Sequence, residues 1–290
     1  MWTIETAGNS GFSSVWGSSA DDVYAVGAGG AIVHSTGDGS WSAIATGCDD
    51  DLHDVWGSSA SDIYIVGAVA NPTWSGSVQH SVDGGATWIL TRTGNLDAAV
   101  WGSGANDVYI ADYGSLYHSI DRGATWSTTA LPQLQAAAVW GASAGDVFAF
   151  GNDVQNQQAV AKSHDAFADY AVATPGNPDG LLAAWGSSAN DIWAVGAPAS
   201  VSHSADDGAT WQTLTPPADV GGLVSVWGSG ANDVYVLASR GGLVHTSDGG
   251  ATWTSVTLPS ASSSYTKVWG SSANDIYVVG TTGQILHGRS

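Results

Sequence analysis

The chain has 290 residues, with 26 acidic side chains against 6 Lys and Arg, which gives a formal charge of −20. Apolar residues make up 43% of the sequence, enough for a substantial core, while charged residues make up only 11%. A surface of this charge repels the phosphates of nucleic acids and of anionic membranes, so we expect neither as a partner. We also expect no membrane insertion, because no apolar run approaches the roughly 18 residues that span a bilayer.

The chain starts with MWTIETAGNS, which has neither the charged beginning nor the apolar stretch of a signal peptide. The segment Trp2–Ile4 instead has the alternation of a β-strand. The single Cys48 cannot form an internal disulfide, and a lack of disulfides does not fix the compartment. We expect an extracellular or cell-surface protein whose leader is absent from this sequence.

One phrase then recurs seven times along the chain. It begins as VWGSSADDVYAVG at 15–27, VWGSSASDIYIVG at 55–67 and VWGSGANDVYIA at 100–111. Each copy contains one anchor tryptophan, and the seven anchors are Trp16, Trp56, Trp101, Trp140, Trp185, Trp227 and Trp269. Successive anchors are 39 to 45 residues apart, close to the roughly 40–45 residues of a four-stranded propeller blade.

Each unit divides into four short strands separated by turn residues. The first strand ends at V-W-G-S, and an S-A-N-D turn follows it. In the sixth unit the second strand is Val234–Leu237, the third is Gly242–Thr246, and the fourth begins at Trp253. No helical period appears, so the pattern predicts an all-β protein.

The two ends of the chain predict how the ring closes. The seventh unit stops at His287 after its third strand, and Trp2–Ile4 matches fourth strands such as Trp41–Ile44. The N-terminal strand is therefore predicted to complete the last blade, which removes an exposed sheet edge. We predict a single domain over residues 1–290, a monomeric seven-bladed β-propeller of four-stranded antiparallel blades.

The turn before the fourth strand carries a second shared pattern. It reads SVDGGATW at 81–88, SIDRGATW at 119–126, SADDGATW at 204–211 and TSDGGATW at 246–253. These turns resemble the Asp-box, or bacterial neuraminidase repeat, of sialidases, sortilin-type receptors, two-domain xyloglucanases and the seven-bladed photosystem II assembly factor. Blade one is one residue short, blade four departs further with SHDAFADY, and blade seven lacks the pattern. The resemblance implies a structural box: its Asp caps backbone N–H groups, its Gly takes a positive φ, and its Trp packs between strands.

Three further positions recur once per blade, and we interpret each as structural. We expect each anchor Trp and the Gly that follows it to form a packing layer between blades. The functional alternative is that the anchor Trp side chains form an aromatic ring around a channel. The Asp six residues after each anchor is expected to cap its own turn, with a cation-binding ring as the alternative. A His ends the third strand in six blades and shifts to His164 in blade four; we expect these His side chains to be hydrogen-bonded.

Loops alternate faces along such a blade. The S-A-N-D turns and the Asp-box turns share one face, which we call the uniform face. The loops between second and third strands and the connections between blades share the other, the variable face, where we expect ligands to bind. The candidate ligand-binding residues there are Trp74, Tyr113, His53 and Tyr265. Trp74 is the one Trp that the repeat does not explain; it can stack on a sugar or a partner, or fold over its own loop.

The connection from blade one to blade two is the candidate metal site. It holds Asp49, Asp50, Asp51 and Asp54, and consecutive Asp side chains can bind Ca²⁺. Their spacing matches no EF-hand, and a solvated acidic turn is the alternative. We treat calcium as possible and no cofactor as required.

Counting residues argues against catalysis of the sialidase type. Such enzymes hold a carboxylate with three Arg, whereas this chain has four Arg in all, and two of them, Arg122 and Arg289, are misplaced for that role. Glu5 is the single Glu and lies in the closing strand. An assembly factor is expected to use a basic patch, and the chain has two Lys. We predict a non-catalytic module that binds glycan or protein; the alternatives are an interaction scaffold and an Asp-dependent glycoside hydrolase.

Overall fold

A computed structural model of the protein describes residues 1–8, 10–69, 75–93, 97–173, 180–197, 199–217, 221–259 and 264–289. They form seven four-stranded antiparallel sheets. The predicted seven-bladed β-propeller is therefore confirmed. Over these residues there is no α-helix, and a single 3₁₀ turn spans Ala28–Gly30.

The strands follow the chain in blade order, after β1 at Trp2–Thr6. The first three blades comprise β2 Phe12–Ser19, β3 Asp22–Gly27, β4 Ala31–Ser35, β5 Ser42–Ile44; β6 Asp51–Ser59, β7 Asp62–Ala68, β8 Gly76–Ser81, β9 Ile89–Arg92; and β10 Asp97–Gly104, β11 Asp107–Asp112, β12 Ser115–Ser119, β13 Ser127–Ala130. The fourth and fifth comprise β14 Gln135–Gly141, β15 Val147–Asn152, β16 Gln158–Ser163, β17 Ala171–Ala173; and β18 Leu181–Ser188, β19 Asp191–Gly196, β20 Ser200–Ser204, β21 Gln212–Leu214. The last two comprise β22 Leu223–Gly230, β23 Asp233–Ala238, β24 Leu243–Thr246, β25 Thr254–Val256; and β26 Tyr265–Ser272, β27 Asp275–Gly280, β28 Gln284–Arg289.

The core lies between the blades. Side chains alternate along a strand, so Ile65 of β7 packs toward the first blade while its neighbour Val66 packs toward the third. Because both faces of each sheet meet another blade, β7 is buried along its whole length, whereas the outer strand β9 is exposed along its whole length. This explains why the second strands read as continuous apolar runs.

The N-terminal strand closes the ring as predicted. Strand β1 pairs antiparallel with β28, with Trp2 opposite Gly288 and Glu5 opposite Ile285. The last blade is thus built from both ends of the chain, in the order β1-β28-β27-β26.

The box turns have the local geometry that their residues imply. In the second blade, Asp83 accepts a hydrogen bond of 2.8 Å from the Thr87 N–H, and the Ser81 hydroxyl accepts one of 2.8 Å from the Gly85 N–H. The same pair of bonds recurs in the other three predicted turns. Trp88 packs against the first blade beside Tyr24, so the box also joins neighbouring blades.

The Asp six residues after each anchor behaves differently from our expectation. Asp62 accepts hydrogen bonds from the Ser58 hydroxyl at 2.5 Å and lies 2.9 Å from Nε2 of His80. The His80 ring stacks on Tyr64 at a centroid distance of 3.9 Å. The predicted backbone cap is wrong: in every blade the hydrogen-bond partners found for this Asp are side chains, among them a Ser hydroxyl and a His ring. The predicted hydrogen-bonded His is confirmed.

The box carboxylates predict a loss of stability in acid. Hydrogen bonds from the Thr252 side chain and backbone lower the pKa of Asp248 to about 2, and similar bonds lower the pKa of Asp83 and Asp206. A carboxyl whose pKa is lower in the folded state stabilises the fold above its unfolded pKa of about 4, and this contribution is lost as the pH falls toward the folded pKa.

We therefore expect the urea midpoint to fall steeply between pH 4 and pH 2, and Asp248→Asn to make the fall shallower while lowering the midpoint at pH 6. Urea titrations followed by Trp fluorescence at these pH values measure both effects. A midpoint that does not change between pH 4 and pH 2 contradicts the prediction.

Candidate functional site

The seven inner strands surround an axial channel with a cavity of about 270 Å³. All seven anchor Trp side chains line it. Each anchor Trp also packs on the Gly that follows the anchor of the next blade. A Cβ placed on Gly102 would lie 2.5 Å from Cη2 of Trp56. A Cβ placed on Gly17 would lie 2.7 Å from Cη2 of Trp269, so the Trp–Gly contacts run around the whole ring. The predicted packing layer is confirmed, and its inner side is also the aromatic lining of the channel.

A β-bulge in every inner strand directs one more side chain into the channel. The register of each inner strand shifts around the residue three before its anchor Trp, and bulges commonly re-aim side chains in this way. The seven residues at these positions all line the channel, and we call them the mouth ring: Ser13, His53, Ala98, Ala137, Leu182, Val224 and Thr266.

The mouth ring lies toward the variable face. Each inner strand begins at the connection between two blades, and the mouth ring lies near that end of the strand. The Gly30 N–H, in the loop between the second and third strands of the first blade, donates a 2.7 Å hydrogen bond to the carbonyl of Asp50, in the connection to the second blade. Both kinds of loop therefore lie on the same face. On the uniform face the Gly84 N–H similarly donates to the Ser61 carbonyl, at 3.2 Å. The channel therefore opens among the loops that differ from blade to blade.

One half of this mouth is polar, and an ion pair organises it. Nζ of Lys267 in the seventh blade lies 3.2 Å from Oδ1 of Asp54 in the second blade, so the pair reaches past the first blade. Asp54 also accepts hydrogen bonds from the Ser14 hydroxyl at 2.6 Å and from the Val100 N–H at 3.2 Å. The carboxylate thus joins four blades, and a third of the Lys267 side chain stays exposed.

The other half of the mouth is apolar. The third to sixth blades contribute Ala98, Ala137, Leu182 and Val224 to the ring. The Leu182 side chain is 44% exposed although it lies in a strand. An exposed Leu opposite a charged pair makes the opening amphipathic, which suits a ligand with an apolar and a polar part.

The predicted ligand-binding residues have different fates. His53 belongs to the mouth ring. Tyr113 is 63% exposed in the loop between β11 and β12, on the variable face. The placement of Tyr265 on a surface loop is wrong: it begins β26, is 2% exposed and packs in the core between the sixth and seventh blades. Trp74 lies outside the described residues.

The acidic connection does not form one cluster. Asp50 is buried and paired with Arg92. Asp51 accepts a 2.9 Å hydrogen bond from the Gly29 N–H. Asp54 lines the channel, and Asp49 is exposed. Burial alone would raise the pKa of Asp50. Hydrogen bonds, of which that from Arg92 is the strongest, lower the pKa by more than burial raises it, so the pKa lies below its usual value. Across the described ranges no group of three His, Cys, Asp or Glu is placed to hold a metal ion. Calcium binding stays a prediction.

Sequence reasoning missed Lys267. The position two residues before each anchor holds Ser or Ala in five blades, and the two exceptions are the oppositely charged Asp54 and Lys267. Comparing that position across the repeat gives the signal that was available.

The fold has many solved counterparts at low sequence identity. No protein-family model and no curated protein matches the chain. Among solved structures, YCF48 bound to D1 peptide is similar with a TM-score of 0.76 and 16% identity, covering 100% of this chain and 97% of the other. The virginiamycin B lyase of Staphylococcus aureus is similar with a TM-score of 0.82 and 10% identity, covering 100% of both chains. A GH74 enzyme of Niastella koreensis has a TM-score of 0.77 and 14% identity, covering 98% of this chain and 53% of the other.

These similarities show the seven-bladed fold. Since they include both enzymes and a peptide-bound protein, they do not choose between catalysis and binding. In the part of the chain that the structure describes, no helix is long and apolar enough to cross a bilayer.

Proposed function

We propose that this propeller is a non-catalytic binding module that holds a protein ligand at the mouth ring. The observation that carries the proposal is the amphipathic opening, with Leu182 exposed on one side and the Asp54–Lys267 pair on the other. We assign the ligand an apolar side chain that enters beside Leu182 and a polar group that meets the pair.

The size of the channel favours a side chain or a chain end as the inserted group. Its cavity of about 270 Å³ is at the lower limit of the roughly 300–1,000 Å³ of small-molecule sites. An oligosaccharide would extend over the loops instead. The fold shared with YCF48 bound to D1 peptide is consistent with a peptide ligand, as an analogy at the level of the fold.

Non-catalytic binding is favoured by the position of the single Glu. Glu5 lies in the closing blade, where it is hydrogen-bonded to His287 of the same blade and to Trp41 of the first blade, so it supplies no general acid at the mouth. Glycan binding on the variable face, with or without calcium, is the alternative ligand class. An extracellular or cell-surface location and a monomeric state belong to the same proposal.

The test uses labelled protein on an array of immobilised dodecapeptides and on a glycan array, each with millimolar calcium and with chelator. We expect peptide binding that falls about tenfold or more in Leu182→Glu, because losing the burial of one Leu costs about 1.5–3 kcal/mol. Val154→Ser is the matched control, since Val154 is 64% exposed in a variable-face loop of the fourth blade. Equal loss in this control, glycan binding alone, or no peptide binding overturns the proposal.

A further inference from the structure

A second cavity lies at the outer rim, between the second and third blades. It measures about 480 Å³, and its lining includes Tyr64, Val82, Ile89, Thr91, Arg122 and Trp126. We call it the rim groove. It opens beside the box turn of the third blade, so it belongs to the uniform face and is separate from the mouth ring.

The rim groove lies where Thr91 is smaller than its equivalents in the first and fifth blades. In the first and fifth blades the residue three after the box Trp is Ile44 or Leu214. Each packs on the box Gly of the next blade, with Cδ1 3.1 Å from a Cβ placed on Gly85 and 2.6 Å from one placed on Gly250.

The same position beside Gly123 is open. A Cβ placed on Gly123 has its three nearest atoms in Tyr64 and Trp126, and none in the fourth strand of the second blade. A Thr therefore stands where the first and fifth blades have Ile44 and Leu214, and the space of that larger side chain is left to the groove.

The strand that borders the groove is a free sheet edge, as the outer strand of each blade is. Strand β9 is bonded to β8 on one side only, and its four residues are all exposed. Ile89, at 67% exposure, and Val82, at 54%, line the groove, and Ile120, at 72%, precedes its lining residue Asp121. Charges usually protect native edge strands, but the charge of β9, Arg92, is paired with Asp50. Clustered exposed apolar side chains mark interaction sites.

Arg122 supplies a cation at this rim, from the box turn of the third blade. Its φ is +59°, at the position where the second and sixth blades have Gly84 and Gly249. Its guanidinium is 55% exposed and lies 3.8 Å from Asp62, a carboxylate that already binds Ser58 and His80. The neighbouring Asp121 carboxylate is engaged by Thr125 and Ser119. Ala166 and Asp207 have φ values of +58° and +60° at the same position of the fourth and fifth blades, so the conformation belongs to the turn, and the cation is what distinguishes the third blade.

We propose that the rim groove binds an extended peptide segment that adds to the free edge of β9. Backbone hydrogen bonds to the edge supply affinity, and a large apolar side chain enters the space beside Thr91. A carboxylate close to that side chain pairs with Arg122. One cation in a chain of net charge −20 selects a segment with a single acidic group rather than an acidic run. This site is independent of the mouth ring.

Two variants remove the site by introducing residues that other blades have at the same positions, so neither is expected to unfold the protein. Thr91→Leu fills the groove with the side chain that the fifth blade has. Arg122→Gly removes the cation and relaxes the positive φ. Arg122→Lys keeps the charge, and Val172→Thr, on the outer strand of the fourth blade, is the matched control for a lost exposed apolar side chain.

The probe is a phage-displayed library of random heptapeptides, selected on the wild-type chain after depletion on Thr91→Leu. We expect enriched peptides that carry a large apolar residue within two positions of one Asp or Glu. For synthetic copies measured by fluorescence anisotropy, Kd should rise about tenfold or more in Thr91→Leu and in Arg122→Gly. It should stay near the wild-type value in Val172→Thr and in Leu182→Glu, and Arg122→Lys should recover part of the loss.

Three outcomes overturn the proposal. They are a selection that enriches nothing over Thr91→Leu, peptides whose affinity does not change in Arg122→Gly, and equal weakening by Val172→Thr. Weakening by Leu182→Glu instead assigns the peptides to the mouth ring, which separates failure of this inference from failure of the proposed function.

Discussion

Gly102→Ala is expected to destabilise the propeller by about 1–3 kcal/mol, the usual effect of overpacking a core. The added methyl would lie 2.5 Å from Cη2 of Trp56 and 2.6 Å from the backbone oxygen of Asp107, so neither a rotamer change nor a small shift of one side chain relieves both contacts. Moving Trp56 to relieve the contact also disturbs its packing in the core between the second and third blades, where it lies beside Tyr64 and Val100.

Gly104→Ala is the matched control for this substitution. Gly104 is in the same strand, β10, and a Cβ placed there meets nothing within 4 Å. We expect its urea midpoint to be at or slightly above that of the wild type, since Ala has less freedom in the unfolded chain than Gly.

A double-mutant cycle separates steric conflict from other effects of Gly102→Ala. Trp56→Phe removes the ring atoms that approach Gly102, so the destabilisation by Gly102→Ala should be smaller in that background. Equal losses of unfolding free energy in both backgrounds, or equal midpoints for Gly102→Ala and Gly104→Ala, contradict the ring of contacts.

The fold could be predicted because the same strand and turn pattern occurs seven times in the sequence. The anchor spacing gave the blade length, and the match of Trp2–Ile4 to other fourth strands gave the closure. Both inferences rest on local pattern and strand geometry, which tertiary contacts reinforce rather than override.

The site was harder to predict because it depends on contacts that the repeat does not contain. Asp54 and Lys267 are 213 residues apart in the chain, and only the circular arrangement of the blades brings them together. Sequence proximity places Asp54 with Asp49–Asp51, whereas β6 begins at Asp51 and brings Asp54 to the channel.

Strand boundaries caused the error at Tyr265. The bulge in β26 lets this strand start at Tyr265, four residues before the anchor Trp269, so a residue expected in a loop is part of the core. The same bulge sends Thr266 into the channel. A bulge adds a residue and so breaks the two-residue alternation that identifies a strand, which hides the start of the strand from that pattern.

Glu5→Ala is expected to destabilise the closing blade by about 1–3 kcal/mol, the usual effect of leaving buried hydrogen-bonding groups without their partner. Glu5 is 8% exposed, with Oε1 2.8 Å from Nδ1 of His287 and Oε2 accepting a 2.8 Å hydrogen bond from Trp41 Nε1. It therefore joins the N-terminal strand both to the C-terminal strand and to the first blade. Nε2 of His287 lies 2.7 Å from Asp275, so removing Glu5 disturbs a network at the seam of the ring.

The same contact fixes the pH dependence of this loss. Burial alone would raise the pKa of Glu5. Hydrogen bonds from His287 and Trp41 lower the pKa by more than burial raises it, so the pKa in the folded state is below its ordinary value. Its stabilising contribution is then complete above the unfolded pKa of about 4.3 and is lost as the pH falls through the folded pKa. We expect the difference in unfolding free energy between the wild type and Glu5→Gln to be largest near pH 6 and to shrink toward pH 3.

Urea titrations at pH 6, 4 and 3 measure this difference, with Ile4→Thr on the exposed side of the same strand as the control. Hydrogen exchange of the β28 amides reports whether the seam opens before the rest of the ring, as a local event should. A Glu5→Gln deficit that stays constant over this pH range would mean that the carboxylate charge does not hold the ring closed. Strand pairing and the packing of Trp2 would then carry the closure by themselves.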